Sequence, residues 1–345
     1  MSEKPVLLCL GGVSFPDGDF SELSKVAQVI TLDPATTREQ FIKRLGDSND
    51  ILSHTKVITR TFSSIKNTGR FDEEIAKALP DSVVAICHNG AGYDQIDVEY
   101  FSKRHIQISN TPDVVSNATA DTHVFLLLGA LRYFSYGVRE LLNEGNSKVA
   151  ANNTPFGNDP EGKTVGVLGL GGIGHQIVKR LKPFGFAKFI YHNRHRLSPE
   201  LENGCEYVSF DELIANSDII SINIPLNEHT RHTINAEAIA KMKDRVVIVN
   251  TARGAVMDEQ ALVEALKSGK VKSAGLDVFE FEPEVTKELL EMKQVVCTPH
   301  LGTQCIETRQ KMEELVYTNA LQAVTQGKVK TIVPEISHEE WFIKL

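Results

Sequence analysis

The sequence predicts an α/β protein made of two doubly wound parallel-sheet units, the second inserted into the first. Three observations carry this. Short apolar runs alternate with helix-spaced segments through the first hundred residues, and a second alternation of the same kind starts at Lys163. Helical patterns over 117–142 and from about 307 to 324 lie where the chain would cross between the units. The length of 345 residues suits two domains at about 100–200 residues each. The boundaries expected are 1–115 with 305–345 for the first unit and 116–304 for the second.

In the first unit, the β-branched or apolar runs at 6–10, 28–32, 56–59, 83–87 and 106–109 predict strands, and the spacing at 20–26, 37–45, 72–79 and 98–103 predicts helices. The segment 117–142 is expected to be one long helix, capped by Ser116 or Asn117, with an apolar centre at 124–131 that suggests a homodimer contact, although a core helix between domains would look the same. A polar loop, 143–161, rich in Asn, Gly and Pro, follows it. Strands of the second unit are expected at 165–168, 189–191, 207–208, 219–222, 246–249, 274–278 and 295–297. A tail carrying the single tryptophan, Trp341, closes the chain.

Lys and Arg total 37 against 45 Asp and Glu, a net charge of −8, which argues against a nucleic-acid partner. An anionic ligand would then need positive charge concentrated locally. Five cysteines stand singly with no CxxC pair, the pattern of reduced thiols in a cytoplasmic chain, with no disulfide framework and no metal site. Cys297 is expected to be an inert thiol. The longest apolar stretch, 124–131, is too short to span a bilayer, and 6–10 is too short and lacks the basic leader of an export signal. The terminal Ile343-Lys344-Leu345 shares its last two residues with a peroxisomal tripeptide but lacks the small first one.

The strand pattern 165–168 runs directly into Gly169-Leu170-Gly171-Gly172-Ile173-Gly174 and then into helical spacing. In that setting Gly169 permits a tight turn, Gly171 lets backbone approach a pyrophosphate, and Gly174 lets the helix pack on the strand. The helix N-terminus offers free N–H groups to phosphates. From 175 to 199 there is no acid, and the next strand ends in Tyr191-His192-Asn193-Arg194-His195-Arg196. Arg194, with Arg196 nearby, suits a 2′-phosphate, so NADP is preferred, with NAD possible.

Three further polar groups follow strands of the second unit: Asn250-Thr251-Ala252-Arg253-Gly254, then Asp277 to Glu282 before Pro283, then Thr298-Pro299-His300-Leu301-Gly302-Thr303. In an open parallel sheet they would face one crevice with the glycine loop. An arginine can clamp a carboxylate with two parallel hydrogen bonds, and a histidine beside a carboxylate can give a proton to a carbonyl oxygen.

These motifs, with Gly90-Ala91-Gly92-Tyr93-Asp94 and Ala118-Thr119-Ala120-Asp121 in the earlier part of the chain, closely resemble the D-isomer-specific 2-hydroxyacid dehydrogenases over roughly 50–325. Tyr191–Arg194 and Ser116–His123 are most similar to the fungal glyoxylate/hydroxypyruvate reductases of that family. The resemblance implies a Rossmann cofactor domain inserted into a flavodoxin-like substrate domain, closing over NADPH and a small 2-oxoacid. It implies that Arg253 binds the substrate carboxylate and carbonyl oxygen, and that His300 is the general acid, kept protonated by Glu282. The backbone of Ala91 and Gly92 would hold the carboxylate. Asp277 would bind the nicotinamide carboxamide, while Thr119, Asn193, Pro225, Thr230, Thr251 and Thr303 line the cofactor. Glu280 is expected to be an exposed surface acid. His192 stands where strongly NAD-preferring relatives carry Asp, which favours NADP. The rival readings are a dehydrogenase of a larger or branched D-2-hydroxyacid and a dinucleotide-sensing, corepressor-like binding protein.

Overall fold

The computed structural model describes residues 4–143 and 154–345, so most of the loop expected at 143–161 lies outside the described residues. The chain divides into two units, Met1–Val115 with Cys305–Leu345, and Ser116–Gln304.

In the first unit the strands are β1 (Val6–Leu10), β2 (Gln28–Thr31), β3 (Thr55–Thr61), β4 (Ala85–Asn89) and β5 (Gln107–Ser109). They pair in parallel in the order β2-β1-β3-β4-β5, the flavodoxin-like arrangement. Strand β1 is buried along its whole length, as a central parallel strand covered on both faces must be. Thr37 and Gln40 form a reciprocal capping box that starts the Arg38–Gly46 helix. The Ile306–Gln326 helix returns the chain to this unit and buries Val316, Tyr317, Ala320 and Ala323 in the same core as β1.

In the second unit β6 (Thr164–Leu168), β7 (Lys188–His192), β8 (Glu206–Tyr207), β9 (Ile219–Ile222), β10 (Val246–Asn250), β11 (Val271–Leu276) and β12 (Val295–Cys297) form one parallel sheet. Its order is β12-β11-β10-β9-β6-β7-β8. The order reverses at β6, which lies between β7 and β9, and the carboxyl ends of β6 and β9 therefore flank the switch-point crevice where such sheets bind ligands.

Two expectations change. The helix expected over 117–142 begins at Ser116 and is broken into Ser116–Arg132 and Phe134–Asn143. Tyr133 takes φ 57 between them, which turns its ring under Lys272, whose Nζ lies 4.7 Å from the ring centroid. Strand β11 ends at Leu276 and not at 278, leaving Asp277 and Val278 on the turn beyond it. All five cysteines are free thiols. Burial pushes Cys87 up to about 12 and Cys297 up to about 11, so both stay protonated near neutrality.

Candidate active site

The glycine loop links β6 to the Gly172–Leu181 helix. Gly169 has φ 97, and a Cβ there would lie 2.9 Å from the Asn223 carbonyl at the end of β9. At Gly174 a Cβ would come within 2.4 Å of the Gly169 carbonyl oxygen, so the helix sits too close to the turn for any side chain. The corresponding face of Gly171 is open, with nothing within 4 Å. Helix start, left-handed turn and open backbone together fit a pyrophosphate. Leu170 is buried, while Gly172 and Ile173 begin the helix. Asn193, at the end of β7, accepts from the Leu170 amide at 2.7 Å through Oδ1, tying that strand end to the loop.

The basic turn after β7 divides in two. Arg196 is neutralised by Glu202 at 2.7 Å, an acid just beyond the acid-free stretch. Arg194 is exposed and makes no ion pair among the described residues. Pro225 and Thr230 close a small loop, with the Thr230 hydroxyl donating to the Pro225 carbonyl at 2.6 Å. Thr119 is buried on the Ser116–Arg132 helix, and its methyl would lie 3.4 Å from a Cβ at Gly302. Thr303 is partly buried on the turn after β12.

Arg253, Glu282 and His300 all lie beyond the carboxyl ends of β10, β11 and β12. Asn250, fully buried, fixes the first turn: its Oδ1 accepts from the Ala252 amide at 2.9 Å and its Nδ2 donates to the Arg253 carbonyl at 2.9 Å. His300 Nδ1 meets Glu282 Oε2 at 2.9 Å, and Glu282 Oε1 accepts from the Phe279 amide at 3.0 Å. Burial alone would raise the Glu282 carboxyl, but His300, the Phe279 amide and the Arg253 guanidinium hold it below the usual carboxylate range. A partly buried arginine thus stands near an anchored carboxylate–imidazole pair, a combination able to bind an anion and move a proton beside it.

Asp277 is 1% exposed and its carboxylate is occupied by the turn that carries His300. It accepts from the Thr298 hydroxyl at 2.6 Å and from the Leu301 and Gly302 amides at 2.7 and 2.8 Å. His300 itself has φ 56, a left-handed backbone that these bonds hold in place. Glu280 is no exposed acid. Only 5% of its side chain is exposed, and it pairs with Arg231 at 2.8 Å and His232 at 2.6 Å. The reason is long-range: both partners come from the turn near 230, about fifty residues upstream.

In the first unit, Asn110 Nδ2 donates to the Ala91 carbonyl at 2.8 Å and His88 Nε2 lies 3.0 Å from the Gly92 carbonyl. The carbonyls are therefore occupied, and the Ala91 and Gly92 amides have no partner among the described residues. Arg60, missed from the sequence, is fully buried on β3, donates to Gln95 at 2.9 Å and lies 4.8 Å from the Phe71 ring. A charge directly after the β-branched run 57–59 was the available signal. Among the described residues no cluster of three or more His, Cys, Asp or Glu could hold a metal ion, and no helix is long and apolar enough to cross a membrane.

Comparison with known proteins agrees with this geometry. The NAD-binding domain model of the D-isomer specific 2-hydroxyacid dehydrogenases matches residues 124–302. The chain belongs to that family: it is an NAD(P)-dependent 2-hydroxyacid dehydrogenase. Glyoxylate reductase 1 of Saccharomyces cerevisiae is 64% identical over 99% of this chain and 98% of its own length. A crystal structure of a glyoxylate reductase from Paecilomyes thermophila superposes with a TM-score of 0.91 at 45% identity, covering 97% of this chain and 99% of that one. The NADPH-dependent glyoxylate/hydroxypyruvate reductase of Sinorhizobium meliloti, solved with NADP and malonate, gives 0.83 at 28% identity over 97% and 98%.

Proposed function

We propose that this enzyme reduces a small 2-oxoacid, glyoxylate or hydroxypyruvate, to the D-2-hydroxyacid with NADPH in preference to NADH. The observation that carries the reaction is the anchored His300–Glu282 pair beside Arg253 at the carboxyl edge of the seven-stranded sheet. The similarity to three glyoxylate reductases supports the choice of substrate.

The nicotinamide dinucleotide, when bound, supplies the hydride. The glycine loop and the Gly172–Leu181 helix hold its pyrophosphate, and Thr119, Pro225, Thr230, Thr251, Asp277 and Thr303 line the remainder. Arg253 takes the substrate carboxylate and steadies the charge that grows on the carbonyl oxygen. His300 gives that oxygen its proton, and Glu282 keeps the imidazole oriented and charged until then. Asp277 contributes by shaping the His300 turn, and any bond to the carboxamide uses lone pairs the turn leaves open. A purified preparation should consume NADPH when given either oxoacid.

The preference for NADPH rests on Arg194, the cation of its turn without a carboxylate partner. Replacing it with Ala should weaken NADPH about 10–100-fold, the worth of a lost charge-assisted bond to phosphate, and leave NADH within a few-fold. Steady-state KM values for both cofactors check this, and equal losses would refute it.

We further propose that the protein is a cytoplasmic homodimer, with the contact not at 124–131, where Leu126, Leu127, Ala130 and Leu131 are buried in the unit's own core, but on the following helix. Phe134, Val138, Leu141 and Leu142, each more than half exposed, form a stripe along one helix face, with Phe125 exposed on the preceding helix. Light scattering should give twice the chain mass of 38.2 kDa, and replacing Val138 and Leu142 together with Asp should give the chain mass.

A further inference from the structure

We propose that His123 is a positioning residue of the cofactor site: as the neutral Nδ1–H tautomer it fixes the Thr251 hydroxyl as a hydrogen-bond donor toward the nicotinamide end of the dinucleotide. The inference rests on the dinucleotide reading above.

His123 lies on the Ser116–Arg132 helix and is fully buried between the ends of β9 and β10. Its Nδ1 is 2.9 Å from Thr251 Oγ1 and its Nε2 is 2.9 Å from Ser221 Oγ. Asn223 Nδ2 completes the chain, 2.9 Å from Ser221 Oγ and 3.1 Å from the Ser221 carbonyl oxygen.

The direction of every proton in this chain follows from one end. A carbonyl oxygen only accepts, so the Asn223 group facing it is the NH2 and not the oxygen. The same NH2 therefore donates to Ser221 Oγ. Ser221 is fully buried, and the one acceptor left for its own hydrogen is His123 Nε2. Nε2 then carries no hydrogen, and a neutral imidazole must carry it on Nδ1. Burial pushes the imidazole down to about 3, which keeps it neutral across the physiological range. Nδ1–H donates to Thr251 Oγ1, and the Thr251 hydroxyl hydrogen has no acceptor among the described residues. The reverse sense would leave the Ser221 hydrogen buried without a partner, the costlier arrangement.

Thr251 is the first residue past β10 and lies two positions before Arg253 on the same turn. If Arg253 holds the substrate, the end of the dinucleotide that delivers hydride comes to this turn, and its acceptor oxygens are what a fixed hydroxyl donor would meet. A buried network of this kind constrains geometry more than it stabilises, because same-shaped apolar groups could fill the space.

Two measurements test the inference. Long-range proton–nitrogen spectra of protein labelled with 15N-histidine should show the His123 imidazole, identified by the signal lost in His123→Asn, protonated at Nδ1 and bare at Nε2, unchanged from pH 5 to 8; the Nε2–H tautomer at His123 would overturn it. Titration of NADPH fluorescence should show that His123→Phe weakens binding about tenfold, the worth of one oriented hydrogen bond. In a Thr251→Val background the same replacement should add less than about twofold, since the two residues act through one bond. A tenfold loss added on top of Thr251→Val, or no loss in the natural background, would overturn the proposal. His123→Asn keeps a donor at the δ position and should stay within about threefold of the natural protein; if His123→Phe does not fold, a loss from Asn as large as that of Thr251→Val decides against it. Failure of the natural protein to bind either NADPH or NADH would instead defeat the dinucleotide reading.

Discussion

Replacing His300 with Ala is expected to lower kcat for oxoacid reduction by about 10²–10⁴-fold, the usual worth of a positioned general acid, with cofactor affinity within a few-fold of the natural enzyme. The imidazole is held at one nitrogen by Glu282 at 2.9 Å, which fixes the orientation of the ring. Glu282→Gln separates orientation from charge. The amide can still accept a hydrogen bond, but it carries no charge, so kcat should fall while cofactor affinity stays within a few-fold. The carboxyl of Glu282 is itself held below its ordinary value, so its contribution to stability is complete above the unfolded value of about 4.3. That contribution is lost only as pH falls through the depressed folded value. An unchanged kcat in Glu282→Gln would contradict the pairing.

Arg253→Met is expected to reduce kcat/KM for a 2-oxoacid by about 10²–10³-fold, in the range of a buried charge partner removed from its anion at 2–5 kcal/mol. Both binding and the developing charge on the carbonyl oxygen depend on this guanidinium. Arg253→Lys should recover little of the loss, because an ammonium cannot make two parallel bonds to a carboxylate. The buried Asn250 holds the Ala252–Arg253 backbone, so the turn itself should survive either replacement. A loss smaller than about tenfold in Arg253→Met would mean that the substrate carboxylate is held elsewhere.

The features that could be read from the sequence are those whose cause is local. Runs such as 6–10 and 246–249 are apolar throughout because their strands are covered on both faces, and this announced parallel sheets. The glycine loop was readable because each glycine answers a clash or a turn within a few residues. The Arg253, Glu282 and His300 turns were readable as polar groups at strand ends, since a parallel sheet sends all such ends to one edge.

What stayed hidden depends on partners far along the chain. Nothing near Tyr133 marks the helix break; its left-handed backbone is stabilised by packing under Lys272, more than a hundred residues away. Glu280 looked like a surface acid because Arg231 and His232 are remote in sequence. Arg196 looked free because its counterion, Glu202, lies three residues beyond the acid-free stretch. His123 sat inside a recognised motif with no sign of its role, since Ser221, Asn223 and Thr251 meet it only in the folded unit. In each case a polar group is defined by who neutralises it, and that is a property of the fold.

The central claim is tested most directly by initial rates of cofactor oxidation with the purified chain, for a panel of 2-oxoacids with NADPH and with NADH. The prediction is that NADPH is consumed with glyoxylate and hydroxypyruvate, more slowly with branched or larger oxoacids, and less efficiently when NADH replaces it. Absence of oxidation of either cofactor with every 2-oxoacid in the panel would contradict the account.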